Sequence, residues 1–215
     1  MQIIDAILFD PVGSLAEFPP SPFEAIATEL FGRALPVGVS GSQAYWDVLN
    51  LLEARDRPLD ARERATIEGY ELEAVVQADA YDDVAPALAE LHSLGVTLVA
   101  ATSLSDVALV RFLERSSLHQ GFAHRWSRDS AGGIKSTPLA KAVAAHAVSP
   151  SNAMFLTDTA DGLQTAKLAG VNAVLMMNDP DEAMKLTALD PAGGIVSLHE
   201  LPDFVRLVIA ENERA

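Results

Sequence analysis

The chain has 215 residues, 49% of them hydrophobic, and a formal net charge of −15, an acidity that argues against nucleic acid and anionic membrane surfaces as partners. It holds no cysteine, which removes disulfides, thiolate nucleophiles and thiolate metal sites, and no apolar run approaches the length of a spanning helix. The opening MQIIDAILFDPVG lacks the basic start and small-residue cleavage site of a secretory signal, so a cytoplasmic location is the expectation.

In chain order, residues 3–9 form a short apolar run that ends at Asp10 and a glycine-containing turn, the pattern of a buried strand with a polar residue at its carboxyl end. Residues 16–83 differ: three helical segments, 21–33, 42–55 and 60–77, are separated by proline and glycine, with no strand pattern between them. A strand-to-strand connection this long reads as an inserted helical subdomain rather than a loop. A helix over 84–94 stops at Gly95; a strand over 96–101 ends at Thr102 and Ser103, and a helix over 106–115 follows. Thr137 is placed to cap a helix with Pro138 at its first position, running to about residue 147. A strand over 153–156 ends at Thr157 and Asp158, a helix over 162–168 leads to Gly170, and strands follow at 173–177 and 194–197. The tail after Ile209 is polar and expected to fray.

Alternating strands and helices predict an α/β fold: a doubly wound, Rossmann-like parallel sheet covered on both faces, with a small all-helical cap inserted into it. The core takes residues 1–15 and 84–215, the cap 16–83. In such sheets ligands bind outside the carboxyl ends of the strands, where Asp10, Thr102 and Asp158 all fall. A carboxylate there can act as a nucleophile, forming a covalent intermediate that water later opens; the plainer reading of Asp10 alone is an acid that ends a strand or caps a turn. Phe18, Phe23, Phe31, Tyr45 and Trp46, at helical spacing, read first as packing inside the cap and second as cavity lining. None of the five histidines falls in a motif.

Four segments in fixed order carry a resemblance. ILFDPVGSL resembles the first motif of the haloacid dehalogenase superfamily, LVAATS the second, GIKSTP the third and MFLTDTADGLQTAKLAGV the fourth. The resemblance implies Asp10 as nucleophile, Thr102 and Lys135 as catalytic partners that meet the transferring group and neutralise its charge, and Ser14 and Ser103 beside the substrate. It also implies Mg²⁺ held by Asp10, the main-chain carbonyl of Val12 and Asp158, with Asp161 as a further acid. Counting back from the fourth motif's tail puts Gly162 at that acid's usual place and Asp161 one residue early, where it either serves through a tighter turn or caps the helix. The implied substrate is a small anionic, phosphorylated metabolite.

Val12 departs from the pattern. Phosphatases of this superfamily place a second aspartate there, which protonates the leaving group and then activates water; general acid–base help of this kind contributes about 10²–10⁴-fold. Three readings stay open on sequence grounds: a phosphohydrolase weakened at Val12, a 2-haloacid dehalogenase-type hydrolase whose departing halide needs no proton, and a catalytically silent binding protein.

Overall fold

A computed structural model describes residues 4–55, 57–178 and 184–213. Its centre is a six-stranded sheet in the order β5-β4-β1-β6-β7-β8, built from β1 (Ala6–Phe9), β4 (Thr97–Ala101), β5 (His124–Trp126), β6 (Ala153–Thr157), β7 (Asn172–Met176) and β8 (Gly193–Ile195). Every pairing is parallel. A strand covered on both faces has no need to alternate polar with apolar, and all four residues of β1 are buried.

The chain winds outward from β1 through β4 to β5, then returns to the other side of β1 with β6 and winds on through β7 to β8. The direction of winding therefore reverses between β1 and β6, and the carboxyl ends of these two strands flank the crevice where open α/β sheets take their ligands. Asp10 follows β1 and Asp158 follows β6.

The helical insert leaves and re-enters through a two-stranded antiparallel ribbon, β2 (Ala16–Glu17) with β3 (Asp79–Ala80). Between these strands lie α2 (Ser21–Phe31), α3 (Gly41–Glu53) and α4 (Ala61–Gln77); a single irregular turn, α1 (Pro11–Ser14), precedes β2. Ser40 caps α3 by accepting the N–H of Gln43, and Asp60 with Glu63 forms a reciprocal capping box at the start of α4, each satisfying N–H groups that a helix start leaves unpaired. Among the described residues no helix is long and apolar enough to cross a membrane.

The remaining helices are α5 (Val84–Ser93), α6 (Asp106–Arg115), α7 (Arg128–Ala131), α8 (Ser136–Ala145), α9 (Ala160–Ala169) and α10 (Leu201–Glu213). Three boundaries differ from the sequence reading for identifiable reasons. α9 starts two residues early because Thr159 takes the capping role, accepting the N–H of Gly162 at 3.1 Å. α8 starts at Ser136, so Thr137 lies inside its first turn, with its N–H on the carbonyl of Ile134. α10 continues past Ile209 to Glu213 instead of fraying there.

Candidate active site

The turn after β1 presents Asp10. Val12 N–H folds back to Asp10 Oδ1 at 3.2 Å, and the Ser14 hydroxyl donates to the Asp10 carbonyl. Ser14 thus shapes the turn from within, fully buried. Gly13 sits at φ +85°, and a Cβ there would stand 2.5 Å from Asp158 Oδ1. Only glycine both adopts this backbone readily and lets the Asp158 carboxylate lie against the turn.

Asp10 itself is 4% exposed. Thr102, just beyond β4, donates to Asp10 Oδ1 at 2.7 Å, and the Tyr45 hydroxyl, reaching in from α3, donates to Oδ2 at 3.1 Å. Tyr45 and Thr102 hydroxyls are also 3.1 Å apart, and Ser103 N–H donates to the Tyr45 hydroxyl at 2.9 Å. Tyr45 is held in place by its ring, packed against Phe23 and Trp46 with centroids 5.5 and 5.8 Å away.

Proton counting constrains this triangle. With Asp10 ionised, the two hydroxyl hydrogens both go to its carboxylate and the Tyr45–Thr102 contact has none; with Asp10 protonated, its own hydrogen goes to one hydroxyl, which is then free to donate to the other, and all three contacts are satisfied. Burial drives the same way. It raises the Asp10 carboxyl to about 7, against the lowering pull of Thr102, Val12 N–H and Tyr45 and with help from the charge of Asp158. Burial, and next the Asp10 charge, pushes the Tyr45 phenol well above its usual value, so it stays protonated.

Lys135 takes a different course from the one the third motif implies. Its Nζ donates to Asn50 Oδ1 at 2.6 Å and Glu53 Oε2 at 2.5 Å, both on α3, and it is not among the hydrogen-bond partners of Asp10. Lys135 also occupies φ +57°, ψ −113°, costly for a residue with a Cβ, while its N–H bonds Ser103 Oγ at 2.7 Å. Asp161, in the first turn of α9, accepts from Asn50 Nδ2 at 3.1 Å and more loosely from Gln43. At Gly162 no acid can stand: a Cβ would lie 1.8 Å from Thr157 Oγ1.

Asp158 Oδ2 accepts from Ser42 Oγ at 2.6 Å and from Asn178 at 3.3 Å. With Asp10 it forms a pair of mutually repelling carboxylates against one backbone turn, a hard-oxygen set that fits Mg²⁺, which commonly takes one or two carboxylates and keeps water for the rest. Among the described residues no third histidine or acid joins them as a cluster. A cavity of about 400 Å³ opens beside Gly13, Ser42, Tyr81, Asp158 and Asn178, and Asp10 is not among its lining residues.

A further layer escaped the sequence reading. Arg128 donates to the Ser103 carbonyl at 3.1 Å and to Glu71 of α4, which also accepts Ser105 N–H at 3.0 Å. The turn carrying Thr102 and Ser103 is thereby gripped from both core and insert. Tyr45 was read first as cap packing and second as cavity lining, and its α3 neighbours Ser42, Asn50 and Glu53 were missed as site residues; the one available signal was polar side chains recurring along a helix that also carries buried aromatics.

Comparison with known proteins adds a family and a fold. A family model described as haloacid dehalogenase-like hydrolase matches residues 44–176. Among solved structures, a predicted phosphatase from Clostridium acetobutylicum superposes with a TM-score of 0.72 at 16% identity, over 94% of this chain and 98% of that one. A predicted phosphoglycolate phosphatase from Haemophilus somnus gives 0.67 at 15% identity, over 95% and 98%. The L-2-haloacid dehalogenase from Xanthobacter autotrophicus gives 0.63 at 18% identity, over 95% and 99%. No curated protein sequence matches the chain significantly.

Proposed function

The chain belongs to the haloacid dehalogenase-like hydrolases, and from that premise we propose that it is a phosphohydrolase acting on a small phosphorylated metabolite through Asp10. The observation that carries this reading is the convergence on Asp10 at the sheet's reversal point. Ser103 N–H donates at 2.9 Å to an oxygen position that lies 3.1 Å from Asp10 Oδ2 and 3.1 Å from the Thr102 hydroxyl, an arrangement suited to an anionic oxygen. Asp158 beside Gly13 supports a divalent ion between the carboxylates. When bound, Mg²⁺ would neutralise Asp10, Asp158 and the phosphoryl oxygens together.

In the proposed reaction Asp10 attacks phosphorus, and the bond to the leaving oxygen breaks with its electron pair on that oxygen. The resulting mixed anhydride is opened by water, which yields inorganic phosphate, regenerates the carboxylate and releases one proton that offsets the charge of the leaving group expelled in the first step. Val12, buried and apolar, moves no proton. The enzyme is therefore suited to leaving groups that depart without protonation, such as phenolates and carboxylates. The helical insert serves as the cap over the site, bringing Tyr45, Ser42 and Asn50 onto it.

Hydrolysis of an aryl phosphate and an acyl phosphate with Mg²⁺ tests this. Wild-type turnover that disappears in Asp10→Asn, and extends to alkyl phosphates in Val12→Asp, is the expected result. No turnover in any of the three proteins would refute it.

A further inference from the structure

Helix α3 engages Asp10, Thr102, Lys135, Asp158 and Asp161, side chains that a substrate or ion would meet. Ser42 holds Asp158 at 2.6 Å, Asn50 holds Asp161 at 3.1 Å, and Asn50 with Glu53 takes the Lys135 ammonium at 2.6 and 2.5 Å. Tyr45 completes the set, its hydroxyl in contact with Asp10, Thr102 and Ser103 N–H.

We propose that α3 is an internal competitor for the site: the Tyr45 hydroxyl stands in for a substrate oxygen, and a tetrahedral oxyanion binds only when α3 withdraws. This rests on the reading of Asp10 as nucleophile. Three features carry it. First, the phenol oxygen fills the space directly before the carboxylate, 3.1 Å from Asp10 Oδ2 and 2.9 Å from the Ser103 N–H. A phosphoryl group cannot share that volume.

Second, the cation expected to attract the anion is diverted. Glu53 pairs with Lys135 at 2.5 Å, and the Lys135 side chain is only 12% exposed. An incoming anion must break this pair before gaining the charge. Third, the open cavity reaches Asp158, Gly13 and the start of α3 at Gly41 and Ser42 but stops short of Asp10, whose Oδ2 is covered by the Tyr45 hydroxyl. Such groups resist a ligand because each contact it makes replaces one already made.

The test is calorimetric titration of inorganic phosphate, with Mg²⁺ present, into wild type, Tyr45→Phe and Glu53→Ala. Tyr45→Phe removes the competing hydroxyl and keeps the ring against Phe23 and Trp46. Glu53 has a 63% exposed side chain, so its truncation leaves the fold intact. Both variants are expected to bind phosphate roughly tenfold tighter than wild type, the equivalent of losing one modest internal contact. Unchanged or weaker binding in both overturns the proposal and makes Tyr45 part of the binding set. The aryl phosphatase assay on the same proteins separates the two ideas. Tighter phosphate binding without turnover in any protein leaves the competitor standing and removes the phosphohydrolase. Wild-type turnover with phosphate affinity unchanged in the variants does the reverse.

Discussion

Arg128 and Glu71 form an ion pair across the seam between the core and the helical insert, with side chains 9% and 4% exposed. The pair also grips the turn that carries Thr102 and Ser103, through the Ser103 carbonyl and the Ser105 N–H. Removing one partner of a buried pair leaves an uncompensated charge and costs about 3–5 kcal/mol. Glu71→Leu and Arg128→Leu are each expected to lose that much in urea unfolding. The double variant should lose less than the sum, because no orphaned charge remains. Double-variant losses that simply add would show that the pair is not coupled.

Gly162 decides whether this chain can carry an acid at the place the fourth motif reserves for one. A side chain there would overlap Thr157, with the new Cβ 2.7 Å from its Cβ. Alanine normally improves a helix interior by up to about 1 kcal/mol over glycine. Here Gly162→Ala is expected to destabilise instead, by about 1–3 kcal/mol, as overpacking does. Gly162→Ala combined with Thr157→Ala, which removes the hydroxyl that would stand 1.8 Å from the new Cβ and the methyl beside it, should recover part of the loss in thermal melts. A stabilised Gly162→Ala would contradict the packing account.

His124 and His146 lie ring against ring, tilted by 52° with centroids 4.0 Å apart, and His146 Nε2 is buried without a hydrogen-bond partner. Burial, and next the neighbouring His124, lowers the His146 imidazole below its usual value of 6.5. A group depressed by folding contributes stability above its unfolded value and loses it as pH falls. His146 should therefore titrate below 6.5 in an NMR series, and His124→Gln should move it upward. Titration of His146 at or above 6.5 would count against the effect of burial and of His124.

The β1 run was legible because buried parallel strands need no alternation, so Ile7, Leu8 and Phe9 announce a strand and Asp10 its end. β5 was not: His124, Arg125 and Trp126 form a three-residue edge strand, exposed enough to carry charge. The two-residue ribbon β2–β3 is fixed by pairing between residues more than sixty apart, which no local pattern records. Asp10, Thr102 and Asp158 were legible from strand ends alone. Lys135 was expected beside Asp10, yet its partners come from α3, and a helix's docking angle is a tertiary fact. Tyr45 was weighed as cap packing; its ring does pack, and only the hydroxyl's destination makes it part of the site.

Asp10 gives the molecule a pH dependence that can be measured without substrate. Its carboxyl, ordinarily at 3.8, stands at about 7 in the folded chain. A group raised by folding contributes stability fully below its unfolded value and loses it as pH rises through the folded one. In chelator-treated protein the contribution of Asp10 is thus complete at pH 3.8 and below, declines toward pH 7 and is gone above it. The span corresponds to about 4 kcal/mol at most. Asp10→Asn keeps the acceptor and supplies an amide donor to the Tyr45–Thr102 triangle while removing the charge. It should be more stable than wild type at pH 8, with the gap closing toward pH 5, when both are followed by urea unfolding. A gap that is absent at pH 8, or that widens on acidification, would mean that Asp10 is ionised at neutral pH and that the triangle's third proton comes from elsewhere.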